Sequence, residues 1–204
     1  TGPSMGNKSE EEIRFLDTLP FDLTNAQKRS WEEIRNDLTD VKPMRRLLQG
    51  DVGSGKTLIA ALSALHAYSN NWQTAFLCPT EILAEQHFNS FQAWFNELGL
   101  KTELLTGSTK AKDRKLIVKE LALGEIDILI GTHAIFQSGV EFKRLGLTII
   151  DEQHRFGVHQ RFSMLEKGGR QNSSPHQLIM TATPIPRTLA MTVYGSLAVS
   201  YTHL

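Results

Sequence analysis

The stretch GDVGSGKT, residues 50–57, decides the fold. It fits the spacing G-x-x-x-x-G-K-[ST], and each position has a mechanical reason. Gly50, Gly53 and Gly55 let the backbone turn tightly and aim successive N–H groups inward at phosphate oxygens. Ser54 completes the turn. The helix that begins near Lys56 adds the positive end of its dipole. Lys56 is long enough to reach the β- and γ-phosphates of ATP, and Thr57 can place its hydroxyl on Mg²⁺. A glycine-rich turn can also serve structure alone. Here it stands where a strand pattern, 46–49, ends and a helical pattern, 58–68, begins, which is the context a phosphate cradle requires.

On both sides, helical and strand patterns alternate. Residues 25–39 carry Ala26, Trp31, Ile34 and Leu38 at helical spacing. QTAFLC (73–78) is an apolar strand run closed by Pro79. An amphipathic helix is predicted over 81–98, core-facing through Ile82, Leu83 and Phe88, with Gly99 as its cap. TELLT (102–106), IDILI (126–130), LTII (147–150) and QLIM (177–180) read as further strands, QLIM being the last. A Lys-rich helix between the first two ends near Leu123 and Gly124. Runs that are apolar throughout imply burial on both faces, and alternation with helices implies βαβ units. The expected fold class is α/β: a three-layer P-loop NTPase lobe with a mostly parallel central sheet.

A P-loop ATPase needs a second strand whose end delivers a carboxylate to Mg²⁺. LTII runs straight into Asp151 and Glu152. Asp151 is the candidate metal ligand, and Glu152 is placed to orient or deprotonate the attacking water. Both follow a buried parallel strand, where ligands bind in such sheets. His154, two residues on, reads equally well as a surface or capping residue.

The composition sets outer limits. With 204 residues, 40% of them hydrophobic, the chain can bury one good core. Its 22 basic and 22 acidic residues cancel, so composition does not point to a strongly basic nucleic-acid module, although a balanced total can hide a local patch. The single cysteine, Cys78, rules out a disulfide framework within the chain and suits a reducing, cytoplasmic setting. No apolar run approaches the ~20 residues of a membrane span. The polar, acidic start TGPSMGNKSEEE is no signal peptide.

GDVGSGKT with DEQH resembles the ATPase motifs of superfamily-two helicases. QGDVGSGKTLIAALSAL, PTEILAEQH, IGTHAIFQ, IIDEQHRFGVHQR and QLIMTATPIPRTLAMT together resemble the first motor lobe of RecG-type branched-DNA helicases. The resemblance covers roughly 19–195 and implies a RecA-like lobe from a bacterial, cytoplasmic enzyme of DNA repair and recombination. It implies that Phe21 and Gln27 recognise adenine. Pro79, Thr80 and Glu81, then Thr106, Gly107 and Ser108, then Thr132 and His133, line a track for DNA phosphates. Gln153, His154, Thr181, Ala182 and Thr183 couple nucleotide state to DNA. The implied cofactors are ATP and Mg²⁺. The implied partners are branched or forked DNA, a second RecA-like lobe carrying arginines for the ATP site, and a wedge domain; no membrane is involved.

Plainer readings stand beside these. Thr24-Asn-Ala-Gln27 is also a capping box. Without the resemblance, TGS and GTH read as strand-end turns. Lys110, Lys112, Arg114 and Lys115 form a basic run that reads first as a solvated helix face. TGPS ahead of Met5 reads as a tag remnant. Residues 1–18 are expected to be remnant plus linker or helix, and 196–204, ending SYTHL, a tail that does not continue the family pattern. Three functions compete: a helicase or transcription-repair translocase lobe, a small-molecule P-loop kinase, and a nucleotide-dependent interaction module. A kinase would need an arginine-rich lid that the sequence does not display.

Overall fold

The computed structural model describes residues 1–3, 5–7, 9–51, 53–152, 174–182 and 197–202. Five α-helices occur among them: α1 (Glu10–Thr18), α2 (Asn25–Thr39), α3 (Lys56–Ser69), α4 (Glu81–Phe95) and α5 (Ala111–Ala122). Seven strands, β1 (Arg45–Gln49), β2 (Gln73–Leu77), β3 (Thr102–Leu105), β4 (Ile128–Gly131), β5 (Leu145–Asp151), β6 (His176–Thr181) and β7 (Ala198–Tyr201), form one sheet in the order β3-β4-β2-β5-β6-β1-β7. Every pairing is parallel. The α/β class with a parallel central sheet is therefore as the sequence predicts.

The uniformly apolar strands split their side chains between two faces. Leu48, Phe76, Ile149, Leu178 and Met180 meet Phe15 of α1, Trp31 and Ile34 of α2, α3, and Phe91 of α4. Ala75 and Leu129 turn the other way, towards Ile117 and Leu121 of α5. Leu47, Leu77, Ile150 and Ile179 form a second patch with Leu197 and Val199. Helix α3 is buried along most of its length, which explains its Ala- and Leu-rich sequence.

Two expectations are corrected. Ile82 does not face the core; it is 69% exposed. The buried stripe of α4 runs Ala84, His87, Phe91, Phe95, and Ile82 precedes Ala84 by two residues, about 200° around the helix. QLIM is not the last strand. Residues 198–201 pair with β1, and the Ser200 hydroxyl accepts from Arg46 at 2.9 Å. Towards the N-terminus, α1 packs Phe15 against Phe95, ring centroids 5.5 Å apart, and Trp31 Nε1 donates to Glu12. Gly2 and Pro3 also join the fold, with Gly2 N donating to Val41 O at 2.6 Å and His176 Nε2 to Pro3 O at 2.9 Å. Trp31 is buried, and Trp72 and Trp94 are half-buried against the core.

His66 of α3 packs edge-on against Trp31 and is 2% exposed. Burial, with the Arg35 charge adding to it, pushes its imidazole down to about 4; a hydrogen bond with the Gly6 backbone pulls the other way. The folded state thus favours the neutral ring. Stability from this group is full above the ordinary value near ~6.5 and is lost as pH falls from there towards 4, by up to about 3 kcal/mol. Unfolding midpoints measured across pH 4–7 (roughly the window between the two values) should fall with acid, and His66→Gln should flatten the slope. Equal slopes for the two proteins would count against this origin.

Candidate functional site

Parallel strands put all their carboxyl ends on one edge of the sheet, where ligands gather in folds of this kind. The strand order sorts the predicted residues along that edge. β1 leads into the P-loop, β5 into Asp151 and Glu152, and β6 into Thr181 and Ala182. β2 leads into Pro79–Glu81, β3 into Thr106–Ser108, and β4 into Thr132 and His133. The phosphate-cradle strands β6 and β1 therefore lie on one side of β5, and the three proposed DNA-track strands on the other.

The cradle has the shape the glycines predict. Gly53 and Gly55 hold positive φ, 84° and 90°, and Gly55 is the N-cap of α3. At Gly50 a methyl group would sit 2.3 Å from Ser54 Oγ and 1.9 Å from Thr202 Oγ1, so a larger residue would have to displace both hydroxyls. Gly50 N donates to Thr181 O at 3.2 Å, which ties the loop to the end of β6. Lys56 curls back over the loop, and its Nζ donates to Gly50 O and, at 3.3 Å, to Asp51 O. Burial holds the ammonium below its usual range, while Asp151 and then Asp51 pull it back up.

Thr24 and Gln27 serve both readings at once. Gln27 N donates to Thr24 Oγ1 at 3.1 Å and Thr24 N to Gln27 Oε1 at 3.0 Å, closing the capping box. Gln27 Nε2 is thereby left to donate to Ser54 O at 3.0 Å. Gly55 must be glycine for this, since a Cβ would come within 2.2 Å of that nitrogen. Phe21 lies just before α2, 52% exposed.

Asp151 and Glu152 are each 5% exposed at the end of β5. Glu152 N donates to Met180 O at 2.9 Å, which fixes the backbone of the pair. Asp151 Oδ2 accepts from His87 Nε2 at 2.6 Å. The sequence reading missed His87. The signal was a histidine on the apolar stripe of α4, since a buried imidazole has to find a partner. Thr202, whose Oγ1 lies 2.7 Å from Ser54 Oγ, was likewise unforeseen. Cys78 is buried near Asp151; burial, and then that carboxylate, push its thiol well up, so it is an inert packing group.

Along the other half of the edge, Thr80 caps α4 by accepting from Leu83 N at 3.2 Å. Glu81 accepts from Ser108 Oγ at 2.7 Å, so the loops after β2 and β3 are joined. The Thr106 turn is closed by its own hydroxyl, which accepts from Ser108 N at 3.2 Å, and by Thr109 Oγ1, which accepts from Thr106 N at 3.0 Å. Thr132 is buried, with no hydrogen-bond partner for its hydroxyl among the described residues, and His133 is exposed. The basic run of α5 is mostly solvated. Gln153, His154 and Thr183 lie outside the described residues.

The sequence pattern of the DEAD/DEAH box helicases matches residues 24–192. The chain belongs to the DEAD/DEAH box helicase family. Among curated members of this helicase family, the chain is similar to ATP-dependent DNA helicase RecG of Haemophilus influenzae, with 58% identity over 92% of the chain. It is 55% identical to RecG of Escherichia coli K12 over the same share. A solved structure of RecG bound to a three-way DNA junction superposes with a TM-score of 0.85 at 46% identity, covering 98% of the chain. The chain spans 27% of the length of those two curated relatives and 26% of the solved chain. Membership of the helicase family favours neither the kinase reading nor the coupling-translocase reading. Among the described residues no helix is long and apolar enough to cross a membrane.

Proposed function

We propose that this chain is the ATP-binding motor lobe of a branched-DNA helicase of the bacterial cytoplasm. The lobe takes in residues 19–195, with α1 packed against it and β7 paired with β1. One observation carries the reading: a single sheet edge holds a phosphate cradle, a buried carboxylate pair and three polar loops in a row.

ATP would bind with Phe21 and Gln27 at the adenine and with Gly50, Gly53, Ser54, Gly55, Lys56 and Thr57 around the phosphates. The residues fit Mg²⁺. Asp151 and Thr57 offer a carboxylate and a hydroxyl, hard oxygen donors, and this ion normally takes only one or two protein ligands beside water and phosphate. When bound it would neutralise charge on the β- and γ-phosphates. Glu152 would take the proton from the attacking water as the bond to the β-phosphate oxygen breaks. Lys56 would stabilise the charge that develops on the transferred group. Gln153, His154, Thr181, Ala182 and Thr183 would relay nucleotide state to the second lobe. A wedge domain would present the junction.

DNA would run past Pro79, Thr80, Glu81, Gly107, Ser108, Thr132 and His133, held through phosphates by N–H groups and hydroxyls rather than by base edges. Binding by this chain alone should then be weak, indifferent to sequence and lowered by salt, because only a few phosphates are neutralised. Fluorescence anisotropy on forked and single-stranded oligonucleotides in a salt series tests this. Submicromolar affinity near 0.15 M salt, about the physiological level, or a clear base preference would contradict it.

A further inference from the structure

Resting on the reading of Asp151 as the magnesium carboxylate, we infer that His87 is the positioning residue that sets which Asp151 oxygen faces the metal. His87 Nε2 lies 2.6 Å from Asp151 Oδ2, and both side chains are buried. A ring nitrogen facing a carboxylate donates its proton, so Oδ2 is occupied and Oδ1 is left for the metal. The imidazole itself cannot swing. It stacks on Phe76 of β2, centroids 4.7 Å apart and planes 29° from parallel, and it rises from the buried stripe of α4. Phe76 is in turn packed edge-on by Phe91, one turn further along α4. A rigid aromatic stack thus holds one donor against one oxygen.

An unsupported Asp151 would have two equivalent oxygens and a free χ2, and would meet the metal in several orientations. Groups that hydrogen-bond a ligating carboxylate typically contribute 10–100-fold in metal affinity. The effect belongs to the metal and not to the nucleotide, because among the described residues His87 is held by Asp151 and Phe76 and not by the P-loop or Gln27.

The test is the Mg²⁺ concentration at which a fluorescent ATP analogue, mant-ATP, reaches half its metal-dependent signal on this chain. His87→Phe keeps the stack and removes the donor. It should raise that midpoint about 10-fold or more, with mant-ATP affinity in EDTA unchanged. His87→Gln can reach Oδ2 with its side-chain nitrogen and should stay within about 3-fold of the parent protein, which is smaller than loss of an outer-shell partner gives. Direct Mn²⁺ binding, read by electron paramagnetic resonance, should follow the same order. Should His87→Phe not fold, His87→Asn replaces it, since its amide falls short of Oδ2 and should raise the midpoint as well. Equal midpoints for the donor-lacking variant and the parent overturn the proposal, as do equal midpoints for the Gln and Asn variants. Asp151→Asn separates the two layers. If it leaves the midpoint in place, the magnesium assignment fails; if it moves the midpoint and His87→Phe does not, only His87 loses its role.

Discussion

Joined to a second lobe, this chain is expected to hydrolyse ATP ~10³–10⁵-fold faster in the presence of DNA than the 204 residues do alone, the range that arginine fingers contribute in related sites. Phosphoryl transfer leaves little covalent chemistry to the protein, so rate comes from positioning and charge. Glu152 can position the water, and Lys56 can meet part of the charge. The remaining positive charge is the part that opposing-lobe arginines supply in this class. Local arginines are Arg155, Arg161 and Arg187, all outside the described residues. Alone, the chain should bind ATP, turn it over near background and separate no strands. In the joined protein, Glu152→Gln should abolish turnover while sparing nucleotide binding. Steady-state turnover on the order of 1–10 per second by the isolated chain, lost in its own Glu152→Gln variant, would show that the lobe needs no second half.

The second large effect is on binding. Lys56→Ala should weaken Mg²⁺-ATP by ~10-fold or more, about 1.4 kcal/mol or greater. In the structure the ammonium is held over the loop by the Gly50 and Asp51 carbonyls, so it is already poised above the cradle. Its charge is also balanced by Asp151 and Asp51, and removing it leaves acidic groups facing an anionic ligand. Asp151→Asn should chiefly raise the Mg²⁺ requirement and leave metal-free affinity nearly as it was. Fluorescent-nucleotide titrations with and without Mg²⁺ read both variants. Indifference of both to the substitutions would remove the site from residues 50–57.

Much of this was legible because the signals were local. The cradle is eight consecutive residues with fixed spacing, and its glycines take the positive φ angles that the pattern demands. The Thr24–Gln27 box was legible for the same reason, although its second use, the bond from Gln27 to Ser54, is a contact across 27 residues that no local pattern carries. His87 was hidden because periodicity marks a face of α4 without telling who waits on the other side. Ile82 was misread because one apolar residue in the first turn does not fix the phase of a helix; the stripe from Ala84 to Phe95 does. β7 was missed because Ala198–Tyr201 is a four-residue strand with no apolar run and no turn signal, defined only by its register against β1.

The position of β1 within the sheet bears on how the protein is made. β2, β3, β4 and β5 can pair among themselves as soon as residues 73–151 have left the ribosome. β1 cannot join them, because both of its neighbours, β6 and β7, come well over a hundred residues after Gln49. Pairings so distant in sequence form slowly, and a chain emerges at only ≈ 5–20 residues per second, so the strand Arg45–Gln49 stays unpaired for several seconds during synthesis. That interval is when the nascent chain is most exposed to aggregation and most in need of a chaperone. The phosphate loop, which follows β1, therefore acquires its shape only after β6 and β7 have emerged.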